Sequence, residues 1–206
     1  MQRAQTWQVA TPRGPAEAEL TLPAGSPVAL LVLGHGAGGG IDAVDLRAVQ
    51  AAALEAGLAV AMVTQPYRVA GRKAPAPAAH LDQAWRAVIG HLRERPELAG
   101  VPLVVGGRSS GARVACRTAA DLAAAAVVAL AFPLHPLGKP ERSRAEELTG
   151  EVPTLVVNGD RDSFGIPASR PGVEVVVRPG ERHELRGDPS GVAEAVITWL
   201  RTTLPR

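Results

Sequence analysis

The sequence predicts an α/β fold: a mostly parallel sheet of roughly seven or eight strands, with helices on both faces and no large lid. Three observations carry that reading. Strand-like and helix-like segments alternate along the chain. No Ser/Gly-rich or charged linker divides the 206 residues, so 1–206 are expected to form one domain around one core. Between the strand candidates Ala125 to Ala131 and Thr154 to Val157 lie only Pro133-Leu134-His135-Pro136 and one small helix around Ser143 to Leu148, too little for a lid domain.

The elements follow in order. Thr6 to Thr11 and Ala16 to Leu22 read as an antiparallel hairpin around Pro12-Arg13-Gly14-Pro15, a turn-forming cluster. Pro27 to Leu33 is an apolar run ending in Gly34-His35-Gly36. Val44 to Ala56 has helical periodicity and stops at Gly57. Leu58 to Thr64 is the next strand, and residues 65–75 are expected to be a loop carrying Tyr67, Arg68, Arg72 and Lys73. Pro77 to Arg93 is a long amphipathic helix. Val101 to Val105 is a strand, followed by a helix over Ser110 to Leu122. After the strands at 125–131 and 154–157, Val173 to Val177 is a last strand candidate and Val192 to Leu204 a closing helix.

Composition narrows the class. Apolar residues are 46% of the chain but aromatics only 3%, so the core is aliphatic. The net charge is +2, with 22 Lys+Arg spread among 20 Asp+Glu. No basic run with interleaved aromatics suggests a nucleic-acid face. The single cysteine forbids an internal disulfide, and Cys116 is expected to be a small core residue. Met1 to Ala10 has no apolar signal core, and no apolar run is long enough to span a bilayer. The expectation is a soluble cytoplasmic protein, monomer or homodimer, engaging neither nucleic acid nor membrane.

The chemistry centres on Gly107-Arg108-Ser109-Ser110-Gly111, a Gly-x-Ser-x-Gly placed directly after a strand and directly before a helix. A serine on such a turn is held in a strained backbone with its hydroxyl exposed above the sheet. The flanking glycines are required because side chains there would meet the neighbouring strand and helix. A serine hydroxyl becomes nucleophilic when a base takes its proton. The base candidate is His183, in the loop after Val173 to Val177. The acid that orients it belongs in the loop after the preceding strand, Asn158-Gly159-Asp160-Arg161-Asp162, where Asp162 is assigned and Asp160 held in reserve. An oxyanion hole needs the N–H after the nucleophile, Ser110, and a second from His35-Gly36-Ala37-Gly38-Gly39-Gly40. Ala37 is assigned as that second donor, with Gly36 and Gly38 as alternatives. His35, Gly36, Arg108, Tyr67 and His135 are candidates for the pocket wall; His35 is read as shaping its loop. His80 and His91 are read as solvated. Arg108, Arg68, Arg72 and Lys73 would bring positive charge near the site and favour an acidic substrate, unless they are ordinary solvated cations.

Gly34-His35-Gly36-Ala37-Gly38-Gly39 also fits a dinucleotide fingerprint. That use requires an acid at the end of the next strand, where the chain reads Met62-Val63-Thr64-Gln65-Pro66. No His/Cys/carboxylate cluster has metal-ligand spacing either, so no cofactor is expected.

These motifs together resemble the small, lidless α/β-hydrolases related to dienelactone hydrolase, in particular the branch shared with testis-expressed and chromatin-complex (KANSL3-like) hydrolase-like proteins. The resemblance rests on Leu33–Gly39, Gly106–Ala115, Phe132–Arg142, Asn158–Gly165 and the loop ending in His183. It implies an α/β-hydrolase fold with Ser109, Asp162 and His183 as catalytic triad, and it supports Asp162 over Asp160. Ser163 stands where the family pattern has proline. The expected activity is acyl transfer to water by a serine hydrolase, a carboxylesterase on small or short-acyl substrates. Thioesterase, amidase and lactonase share the same machinery. The contrasting class is a hydrolase-like scaffold for protein interaction, in which drift would have broken part of the triad.

Overall fold

The computed structural model describes residues 4–204. The strands are β1 (Gln5–Val9), β2 (Ala16–Thr21), β3 (Leu30–Gly34), β4 (Ala59–Thr64), β5 (Leu103–Arg108), β6 (Ala126–Leu130), β7 (Thr154–Gly159) and β8 (Val173–Arg178). They form one eight-stranded sheet in the order β1-β2-β4-β3-β5-β6-β7-β8. β1 and β2 are the expected antiparallel hairpin, and β2 joins β4 antiparallel. From β4 to β8 every neighbouring pair is parallel.

The helices are α1 (Val44–Glu55), α2 (Pro66–Val69), α3 (Ala78–Arg93), α4 (Ser110–Thr118) and α5 (Pro189–Thr203). Period-two alternation in the strands sends successive side chains to opposite faces. Leu30 and Val32 of β3 pack with Leu81, Trp85 and Val88 of α3 and Val114 of α4. Leu31 and Leu33 pack with Leu46 and Val49 of α1 and Val192 and Val196 of α5. The central strands are therefore apolar on both faces, which is why they read as continuous runs. Each helix cover removes its apolar stripe from water, the main stabilising term in such a fold.

Some boundaries differ from expectation. The expected loop at 65–75 contains a helical turn, α2, because Pro66 fixes φ at the first position and Ala70 N–H closes on its carbonyl at 2.9 Å. β5 runs past Val105 to Arg108, paired with β6 as far as Leu130. α4 stops at Thr118, and a turn with Ala123 at φ 49° feeds β6. α5 begins at Pro189 rather than Val192, because Asp188 caps it, Oδ1 accepting from Gly191 N–H at 2.9 Å. Between β6 and β7 the helical content is one 3₁₀ turn, Ala145–Glu147. Among the described residues no helix is long and apolar enough to cross a membrane.

Candidate active site

The carboxyl ends of β3, β5, β7 and β8 lie on one sheet edge, and each carries one loop of the site. At the end of β5 the chain makes its sharp turn. Ser109 sits at φ 53°, ψ −108°, outside the ordinary wells and costing about 1–3 kcal/mol locally. The surroundings hold it there: its N–H donates to Leu130 O of β6 at 2.9 Å, and α4 begins one residue later. The glycines are sterically obligatory. A Cβ on Gly107 would stand 2.5 Å from Gly34 O, and one on Gly111 would overlap the same carbonyl. β3, the elbow and α4 thus touch backbone to backbone.

Ser109, His183 and Asp162 form one hydrogen-bonded chain. Ser109 Oγ lies 2.9 Å from His183 Nε2, and His183 Nδ1 lies 2.8 Å from Asp162 Oδ2. The Asp162 side chain is fully buried and that of His183 nearly so. Asp162 Oδ1 accepts from Phe164 N–H at 2.8 Å, and Oδ2 also accepts from the Asn158 amide at 3.2 Å. Asn158 in turn accepts from Phe132 N–H and donates to Phe132 O, tying the acid loop to the end of β6. The Phe164 ring lies on the imidazole at 4.3 Å between centroids. With Nδ1–H directed to the carboxylate, Nε2 would be free to accept from the Ser109 hydroxyl. Serine at 163 does not disturb this arrangement.

Asp160, the reserve acid, is exposed and accepts from Gly180 N–H at 2.8 Å. With Arg161 N–H to Glu181 O at 2.9 Å it pins the acid loop to the histidine loop. Gly36 faces Ser109: a Cβ there would stand 3.5 Å from Ser109 Cβ. Ala37 follows in the exposed part of that loop, and Ser110 opens α4, where the first N–H groups lack intrahelical acceptors. Among the described residues neither N–H donates to the protein.

Several candidate wall residues serve the loops instead. His35 is buried, its Nδ1 2.8 Å from Gly36 O and its Nε2 accepting from Gln65 N–H at 3.1 Å. Burial holds its pKa below the usual histidine value, so it bridges two loops as a neutral ring. Tyr67 is buried behind it, ring to ring at 5.8 Å, and is correspondingly no part of an open substrate face. His135 lies against the acid loop: its N–H donates to Phe164 O at 3.0 Å, and a Cβ on Gly165 would meet its Nε2. His91 is exposed and His80 partly so. Arg72 and Lys73 are exposed, while Arg108 turns inward: its Nη2 donates to His183 O at 3.0 Å and its Nε faces Asp45 Oδ2 at 3.1 Å.

A cleft of about 350 Å³ opens beside the elbow between Gly38–Gly40, the start of α1, Arg68, Arg108, Glu184 and Arg186. Asp42, Asp45 and Glu184 balance its three arginines, so the wall is mixed in charge rather than cationic. A cleft of similar size between β8 and α5 contains none of the site residues. Among the described residues no group of three or more His, Cys, Asp or Glu is placed to hold a metal ion.

Residues 27–175 match the model of the alpha/beta hydrolase domain family. The chain belongs to this family. No curated protein matches the sequence. Among solved structures, XC6422 from Xanthomonas campestris, an α/β serine hydrolase without a lid, superposes at a TM-score of 0.79 with 19% identity, over 99% of this chain and 96% of that one. A dienelactone hydrolase from Anabaena variabilis gives 0.77 at 18% identity, over 99% of both chains. Est1E from Butyrivibrio proteoclasticus gives 0.76 at 18%, over 96% of this chain and 98% of that one. At these identities the likeness is one of fold: an α/β hydrolase with an eight-stranded, mostly parallel sheet.

Asn158, Phe164 and Asp45 were not expected at the site. Asn158 and Phe164 lie in the same segment as the acid, so the strand-end position was their signal. Asp45 had none: an acid in a first helical turn is ordinarily a partner of the helix dipole.

Proposed function

We propose that the protein is a serine carboxylesterase acting on small or short-acyl esters. The observation that carries this reading is the Ser109–His183–Asp162 chain, at 2.9 and 2.8 Å, on a strained elbow in a hydrolase fold. Ser109 Oγ attacks the ester carbonyl while His183 Nε2 takes its proton. The tetrahedral oxyanion is bound by the N–H groups of Ala37 and Ser110, which have no protein acceptor to give up. Collapse expels the alcohol, which takes the proton from His183, and leaves an acyl group on Ser109. Water then attacks the acyl-enzyme with His183 as base, and the acid departs. Asp162 keeps the imidazole in the right tautomer and stabilises the imidazolium. The motifs at Phe132–Arg142 and Asn158–Gly165 support placing the chain in the testis-expressed and chromatin-complex branch.

The test is hydrolysis of a panel of short-acyl esters and thioesters by wild type and Ser109→Ala. Ester turnover that Ser109→Ala removes is the expected result. A folded wild type that turns over no member of the panel contradicts the proposal.

A further inference from the structure

We propose that Arg108, seated on the buried Asp45, is a positioning residue that holds His183 over Ser109; this rests on the esterase reading above. Arg108 stands between Gly107 and Ser109 in the elbow itself. Its side chain is 16% exposed, and that of Asp45, in the first turn of α1, is 1% exposed. One guanidinium therefore reaches several segments at once. Nε faces Asp45 at 3.1 Å, Nη2 donates to the backbone carbonyl of His183 at 3.0 Å, and Nη1 lies against Gly36 of the oxyanion loop. Through this side chain the elbow, α1, the oxyanion loop and the histidine loop share one anchor.

The pair is an expensive one for the fold. The Nε–Oδ2 contact is not an aligned hydrogen bond, so attraction between the two charges dominates it. Burial pushes the Asp45 carboxyl up, against the pull of Arg108. A buried ion pair of this kind adds little stability, and an apolar pair of similar volume would serve a core as well or better. Its position answers what it does. The flat guanidinium sets its charge against Asp45 on one side and an Nη2 donor on the His183 carbonyl on the other, which the single ammonium of lysine cannot do with the same geometry. With Nε and Nη2 engaged by the protein, Arg108 acts through His183 rather than on the substrate.

The experiment compares Arg108→Gln, Arg108→Lys, Asp45→Asn and Arg108→Gln/Asp45→Asn with wild type and Ser109→Ala. The readouts are ester kinetics and the low-field proton resonance of the His183 Nδ1–H to Asp162 bond. For Arg108→Gln, kcat is expected to fall about 100-fold, the scale of a misplacement near 1 Å, while KM stays within about twofold. Arg108→Lys keeps the charge but is expected to recover little of the rate. The double variant is expected to lie within about threefold of Arg108→Gln, because the two residues act as one unit. The low-field proton is expected in wild type and Ser109→Ala, and lost in both Arg108 variants. A rise in KM at unchanged kcat, full recovery by lysine, additive losses in the double variant, or a low-field proton retained in Arg108→Gln overturns the proposal. Should wild type turn over no ester, the esterase reading fails on its own, and the resonance still decides whether Arg108 positions His183.

Discussion

At the scale of single residues, the assignments separate by what each side chain touches. Asp162 carries the imidazole and is buried beneath it, whereas Asp160 lies on the surface and braces Gly180. Asp162→Asn is expected to lower kcat by about 10⁴-fold through the wrong histidine tautomer. Asp160→Asn is expected to stay within about threefold of wild type, as surface substitutions usually do. Steady-state ester kinetics on the two variants check the contrast. His35 gives the fold a defined pH response. Its folded pKa lies below the 6.5 of the unfolded chain, so the unfolded state binds the extra proton more readily. Stability is therefore full above about pH 6.5 and declines as pH falls through that value toward the folded pKa. Thermal unfolding between pH 7 and pH 5 is expected to show this decline, and His35→Gln to flatten it. Cys116, in α4, is partly buried against two apolar clusters, and burial pushes its thiol up to about 12. At pH 8 only about one thiol in 10⁴ is ionised, so alkylation by iodoacetamide is expected to require unfolding.

At the scale of elements, the site depends on how closely β3, β5 and α4 approach. Gly34, Gly107 and Gly111 meet backbone to backbone, and a methyl group on Gly111 has nowhere to go. Gly111→Ala is expected to lower stability by about 1–3 kcal/mol, the usual range for an overpacked core, measured by denaturant unfolding. The same contact explains why so much of the site was legible in the sequence. A glycine-flanked serine alone is common in a chain with 22 glycines, but here the serine, the acid, the base and the glycine loop each follow a strand candidate, in order. The features that local sequence does not carry depend on contacts between distant elements. Arg108 reads as a solvated cation or a pocket residue, because nothing local shows that Asp45 of α1 lies under it. Tyr67 reads as pocket lining, because its burial behind the glycine loop is set by α2, a helical turn hidden in an apparent loop.

At the scale of the whole molecule, one sheet presents the ends of β3, β5, β7 and β8 together at one edge. The connection from β6 to β7 contains only a 3₁₀ turn, so no helical cap shields Ser109. Esterase rates are accordingly expected to fall as the acyl chain lengthens, with no jump when a long-chain substrate passes its critical micelle concentration. A stepped rise at that concentration would indicate a moving cover. The placement of Ser109, Asp162 and His183 at one sheet edge was readable because parallel βαβ connections return each strand end to the same edge. The mixed charge of the neighbouring cleft was not, since Asp42 reaches it from the loop before α1 and Glu184 and Arg186 reach it from the histidine loop. Ser109 is proposed to be the nucleophile, activated by His183. The most direct test is mass-spectrometric mapping of the residue modified by a fluorophosphonate. The expected result is a single adduct on Ser109, slowed strongly in His183→Ala and absent in Ser109→Ala. An unmodified wild type that is fully folded, or an adduct on Ser110, would contradict it.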